Sequence, residues 1–271
     1  MENMKFVHKV SRGSKFNQIY IPKDKEKEFE PGDLVEVRLL KKEFKVYYSK
    51  NLKGLTEFKE KLVKEVFEFL MNYKEIKQIF IFGSFLTKKI DYNDIDILIL
   101  TEKDLTDKDD NFEKMVYSNL INRFNLKFHL IFFNKKRLKE LLKICPLTRS
   151  IFYYYVSNKE FKIPKEIKID KKHIKFLLMM PEDLLKVNLD GIEYYNTLRK
   201  ICAIENFLIG KEIPPDKIDA QLEKIIDKRK LDLLKKNEIV EEYIIKEVKN
   251  IIKSKLKIIY GRIDYGEKKR Y

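Results

Sequence analysis

Ile79-Phe80-Ile81-Phe82-Gly83-Ser84, followed after nine residues by Asp94-Ile95-Asp96-Ile97-Leu98-Ile99-Leu100, decides the reading of this chain. Four apolar residues that run into Gly-Ser predict a buried strand that turns abruptly, and a glycine there lets backbone amides approach an anion with no Cβ in the way. In the second strand, the period-2 alternation puts Asp94 and Asp96 on one face, about 6.5–7 Å apart along the strand. Ile95 and Ile97 face the other side. Two hard carboxylates so spaced suit a divalent cation that also takes phosphate oxygens. The plainer alternative is an ordinary tight turn beside the solvated edge of a strand. Against it, four uninterrupted apolar residues follow Asp96, the pattern of a strand buried on both faces, so a carboxylate at its start needs a partner.

Gly83-Ser84 with Asp94-x-Asp96, each in a strand context, resembles the signature of the polymerase β-type nucleotidyltransferase superfamily, in particular its minimal members. The resemblance implies that Gly83 and Ser84 grip the triphosphate of an NTP, with ATP the expected one. It implies that Asp94 and Asp96 hold Mg²⁺ or Mn²⁺, and that NMP passes to a hydroxyl acceptor. A third acid on the neighbouring strand ordinarily completes the family's site. Here the strand Phe128 to Phe133 places His129 at that position. Neutral imidazole is a poor Mg²⁺ ligand but a competent base near neutral pH. Three roles stay open for it: a general base, a mark of a nucleotide-sensing and weakly active core, or a strand histidine without function. Glu102 is a second candidate for the missing acid. Lys88 follows the Gly-Ser turn and either reaches phosphate or lies on a solvated face. Asp94, Asp96 and His129 are thus the expected catalytic residues, and Gly83, Ser84 and Lys88 the expected nucleotide contacts.

The surrounding pattern fits a small α/β core over residues 55–145. Phe58, Leu62, Val66, Phe69 and Leu70 recur at helical spacing, with Thr56 able to cap the start. Phe112 to Phe124 predicts a second helix, Lys127 to Asn134 a third strand, and Arg137 to Ile144 another helix. The run Phe152-Tyr153-Tyr154-Tyr155 either stacks nucleobases or packs between domains. Beyond Pro164 the periodicity is helical throughout, over 183–189, 192–209, 216–235 and 238–260, giving a helical domain at 165–265.

The first fifty residues predict short strands and turns. Gln18-Ile19-Tyr20-Ile21-Pro22-Lys23 and a strand opening at Leu34-Val35 after Pro31-Gly32-Asp33 resemble the AbrB/SpoVT swapped-hairpin DNA-binding domains. That resemblance covers roughly residues 5–48 and implies a homodimer, with Lys9, Arg12 and Lys15 as phosphate contacts to DNA. The alternative is a plain hairpin that binds nothing. The expected fold class is therefore α+β: a small β domain at 1–50, a nucleotidyltransferase core with a mixed sheet at 55–145, and the helical domain.

With 44% hydrophobic and 37% charged residues, the composition excludes wholesale disorder. A net charge of +15 suits a polyanionic partner, nucleic acid or NTP, although Lys and Glu are interspersed nearly everywhere and only three residues are Gln, as in heat-adapted proteins. No membrane span or signal-peptide core is apparent, which predicts a cytoplasmic protein. Cys145 and Cys202 lack metal spacing and read as reduced core thiols.

Overall fold

The computed structural model describes residues 6–38, 44–87, 92–102, 110–211, 214–238 and 240–265. The chain divides into two compact units, Met1–Glu43 and Phe44–Tyr271.

In the first unit, β1 (Ser11–Arg12) and β2 (Asn17–Gln18) form a two-stranded antiparallel ribbon. A single 3₁₀ turn follows at Lys23–Lys25, introduced by Pro22. Among the described residues, 34–38 form no strand: Leu34, Val35 and Val37 stand exposed, and no described segment pairs with them to hold an extended backbone. None of the residues 6–38 is buried.

The second unit carries β3 (Tyr47–Tyr48), α1 (Glu57–Leu70), β4 (Ile76–Phe82), β5 (Ile95–Thr101), α2 (Asp110–Phe124), β6 (Phe128–Asn134), α3 (Lys135–Ile144), α4 (Pro146–Ile151) and β7 (Val156–Ser157). It continues with α5 (Lys171–Asp183), α6 (Gly191–Leu208), α7 (Pro215–Leu222), α8 (Lys228–Lys236) and α9 (Glu242–Tyr265). The five strands make one mixed sheet in the order β3-β7-β4-β5-β6, with β4 antiparallel to β5 and β5 parallel to β6.

β4 and β5 are buried on both faces because helices cover each side. Ile79, Ile81, Ile97 and Ile99 pack with Val63, Val66, Phe67 and Leu70 of α1 and Val116 and Leu120 of α2. On the opposite face, Phe80, Phe82, Leu98 and Leu100 meet Leu138 and Leu142 of α3, together with Phe152 and Tyr155. Half of the aromatic run is thus core. Tyr154 instead reaches toward the helices, its hydroxyl donating to Asp216 Oδ1 at 3.2 Å. The two-residue strand β7, just beyond it, pairs with β4.

Thr56 caps α1 as expected, accepting from Lys59 N. Its buried stripe differs from the apolar spacing: Phe58 is 68% exposed, whereas Lys59 is 7% exposed and shares the inward face with Leu62, Val63, Val66 and Phe67. The helices from α5 onward build a core of their own around Tyr194, Leu198, Ile201, Leu234, Val248 and Ile252. The expected helix at 183–189 lies earlier, at α5, where Pro181 sits inside the last turn and obscures the periodicity. The expected 216–235 helix is broken into α7 and α8 by Asp227, which caps α8 by accepting from Arg229 N and Lys230 N. Cys145 and Cys202 are buried free thiols, and burial pushes Cys202 up to about 11. No described helix is long and apolar enough to cross a membrane.

Candidate active site

The site lies at the end of the sheet where β4 finishes and β5 and β6 begin. Antiparallel pairing sets Phe82 opposite Asp96, so the Gly83 bend emerges beside that carboxylate. Parallel pairing sets Asp96 opposite His129. Three segments distant in sequence therefore converge on Asp96.

Gly83 adopts φ +80°, ψ −158°, a region that residues bearing a Cβ enter only with strain. A Cβ at this position would overlap Asp96 Oδ2 and lie 3.1 Å from Asp96 Cγ. The close approach of the carboxylate thus demands the glycine. Ser84–Leu86 then winds one 3₁₀ turn, closed by Leu86 N donating to Gly83 O (3.2 Å) and Thr87 N to Ser84 O (3.0 Å). The Thr87 hydroxyl also donates to Ser84 O, at 2.7 Å. Phe85 and Leu86 plug this turn into the core, while Gly83 and Ser84 face solvent.

His129 Nδ1 lies 3.0 Å from Asp96 Oδ1. An ionised carboxylate only accepts hydrogen bonds, so the ring donates from Nδ1, an arrangement that in the neutral ring leaves the lone pair on Nε2. The His129 side chain is 61% exposed and that of Asp96 only 23%. Burial raises Asp96 above the ordinary carboxylate range; the hydrogen bond from His129 works against this, and the nearby Asp94 charge adds to it. Asp94 itself is half-buried. His129 and the Gly83 bend thus meet at Asp96, with Asp94 near enough for its charge to act there.

Glu102 is not. It follows the far end of β5, about 20 Å along the strand from Asp96, and pairs there with Lys77 at 3.2 Å. Lys88, expected at the phosphates, falls outside the described residues. Among the described residues no group of three or more His, Cys, Asp or Glu side chains is placed to hold a metal ion. Lys9, Arg12 and Lys15 lie in the other compact unit. The residue that sequence reasoning missed is Lys59 of α1, whose ammonium donates to the carbonyls of Phe85 (2.7 Å) and Thr87 (2.8 Å).

The raised Asp96 pKa has a stability consequence. The native fold holds the Asp96 proton more tightly than the unfolded chain does, so this group favours the native state more as pH falls through its native range and opposes it above that range. Asp96→Asn is therefore expected to leave the free protein at least as thermostable as the wild type at neutral pH, with any advantage fading toward about pH 4. Melting curves at the two pH values check this; a variant clearly less stable at neutral pH contradicts it.

No curated protein matches the chain. Residues 64–153, which run from within α1 to the aromatic segment before β7 and include Gly83, Asp94, Asp96 and His129, match the model of the family described as Polymerase beta, Nucleotidyltransferase, and this supports placing that part of the chain in the polymerase β-type superfamily.

Proposed function

We propose that the chain transfers NMP from an NTP, ATP being the expected one, to a hydroxyl acceptor, with the Gly83-Ser84 bend seating the triphosphate. The observation that carries this reading is the convergence on Asp96 of the Gly83 bend and His129, within the matched nucleotidyltransferase-type domain.

The donor chemistry fits a divalent cation of the Mg²⁺ or Mn²⁺ kind. Mg²⁺ is commonly held by one or two carboxylates and completed by phosphates and water, so a protein cage of three ligands is not required. Asp94 and Asp96 would hold it, and Asp96, with several lone pairs, can do so while accepting from His129. The cation when bound supplies charge neutralisation on the phosphates. His129 Nε2 takes the proton of the acceptor hydroxyl, and Asp96, facing Nδ1, steadies the imidazolium so formed. The acceptor oxygen forms its bond to Pα as the Pα–O bond to the β-phosphate breaks, and pyrophosphate leaves. Most of the catalysis is positioning and electrostatics, as phosphoryl-transfer chemistry requires.

His129→Gln removes the base and keeps a polar side chain. Its kcat is expected to fall by about 10²–10⁴-fold with the KM for NTP little changed. An unaltered kcat assigns the proton transfer elsewhere. The general test is incubation with each labelled NTP and Mg²⁺ or Mn²⁺, alone and with nucleic acid.

The N-terminal unit supports a homodimer. Val7, Phe16 and Leu34 are 78%, 78% and 102% exposed, and residues 6–38 contain no buried side chain, so a partner that covers them would supply the core that so short a segment lacks. A second copy supplying it matches the swapped-hairpin resemblance. Phe16→Asp with Leu34→Asp is expected to yield a monomer by sedimentation equilibrium while label transfer persists. A dimer that survives both changes contradicts the assignment. In the second reading the core senses nucleotide and the first unit binds DNA through Lys9, Arg12 and Lys15. DNA retention lost on neutralising those three, yet insensitive to Asp94→Asn, favours it over transfer.

A further inference from the structure

A lysine at the third position of a charged helix is ordinarily solvated, yet Lys59 is buried under the Gly83–Thr87 turn. Its ammonium donates to Phe85 O at 2.7 Å and Thr87 O at 2.8 Å, the two carbonyls on the exit side of that turn. It also lies 5.2 Å from the centroid of Phe85 and 5.4 Å from that of Tyr92. Those two rings meet edge to face at 5.0 Å. Tyr92 stands two residues before Asp94. One cation therefore touches both the strand exit at Phe85–Thr87 and the strand entry at Tyr92.

Stability alone is a weak account of this arrangement. Burial lowers the pKa of Lys59, which means that the fold works against its charge, and well-packed apolar side chains commonly replace buried charges without loss. Two hydrogen bonds and two ring faces aimed at one ammonium instead specify geometry.

We propose that Lys59 is the positioning residue of the phosphate-binding bend, a clamp in α1 that fixes the Ser84–Thr87 turn and the return at Tyr92 so that Gly83 meets Asp96. Its effect on nucleotide rests on the NTP reading given above; its effect on the turn does not. Without the clamp, the turn keeps its sequence but loses its fixed conformation, so each NTP must order it on binding. The loss then falls on NTP affinity rather than on the chemical step.

The test uses the full chain with Lys59→Met and Lys59→Arg, read by site-resolved amide exchange and by label-transfer kinetics. In Lys59→Met the Leu86 and Thr87 amides, which close the turn, are expected to exchange about tenfold faster or more, while the Ile97 and Ile99 amides of β5 stay protected. The KM for NTP should rise about tenfold with kcat within about threefold. Lys59→Arg, which retains donors and charge, should recover much of both losses. Unchanged exchange at Leu86 and Thr87 overturns the clamp whatever the kinetics show. Loss of protection throughout β5 also overturns it, by making Lys59 a general stability residue. Faster turn exchange in a protein whose wild type binds no NTP keeps the clamp and removes the nucleotide reading instead. Should Lys59→Met not fold, Lys59→Gln is read in the same way.

Discussion

Asp94→Asn and Asp96→Asn are each expected to lower NMP transfer by at least about 10²–10³-fold while leaving the fold intact. Both changes keep shape and remove the negative charge that a phosphate-bound cation needs. Asp96 is the more sensitive position, because it also accepts from His129 at 3.0 Å and abuts Gly83. Asn at 96 still offers an oxygen to the ring, so the orientation of His129 survives while the negative charge beside it does not. Label transfer at saturating NTP, with divalent ion titrated, measures the loss. Since Asp96→Asn should not destabilise the free protein, lost activity in that variant cannot be put down to unfolding. A variant retaining more than about a tenth of wild-type turnover would remove Asp96 from the mechanism.

Gly83→Ala carries the second large effect. Backbone strain at φ +80°, ψ −158° and overlap with the Asp96 carboxylate act together. The strain is worth about 1–3 kcal/mol, which corresponds to a fall in Tm of roughly 2–10 °C for a chain of this size. NTP affinity should fall with it, since the alanine either displaces the bend or pushes Asp96 aside. A double-mutant cycle separates the two causes. Asp96→Ala removes the overlap but not the strain, so Gly83→Ala with Asp96→Ala should cost less than the sum of the two single changes. Strict additivity would mean that the carboxylate does not dictate the glycine.

Much of this site could be read from the chain before any coordinates. β4 and β5 announce themselves as apolar runs because both faces of the central strands are covered, and His129 falls opposite Asp96 because β6 repeats the apolar pattern of β5 in parallel register. What escaped notice did so for identifiable reasons. β7 is only two residues long and directly follows an aromatic run that reads as base stacking or as packing rather than as a strand. α5 was obscured by Pro181, and the α7–α8 break by apolar positions that continue across Asp227. Lys59 was hidden because helical periodicity is scored on apolar residues. With Phe58 beside it, the spacing favours the phenylalanine as the inward residue, yet the ammonium is the group with carbonyls to satisfy. The role of Gly83 was legible only in part, since the close approach of Asp96 depends on pairing across strands.

The measurement that bears most directly on the account is divalent-dependent ATP binding by the wild-type chain and by Asp94→Asn with Asp96→Asn, followed by titration calorimetry with Mg²⁺ and a non-hydrolysable ATP analogue. The account predicts saturable binding in the wild type that requires the cation, and its loss in the double variant. Equal affinity with and without the two carboxylates, or with and without the cation, would contradict it.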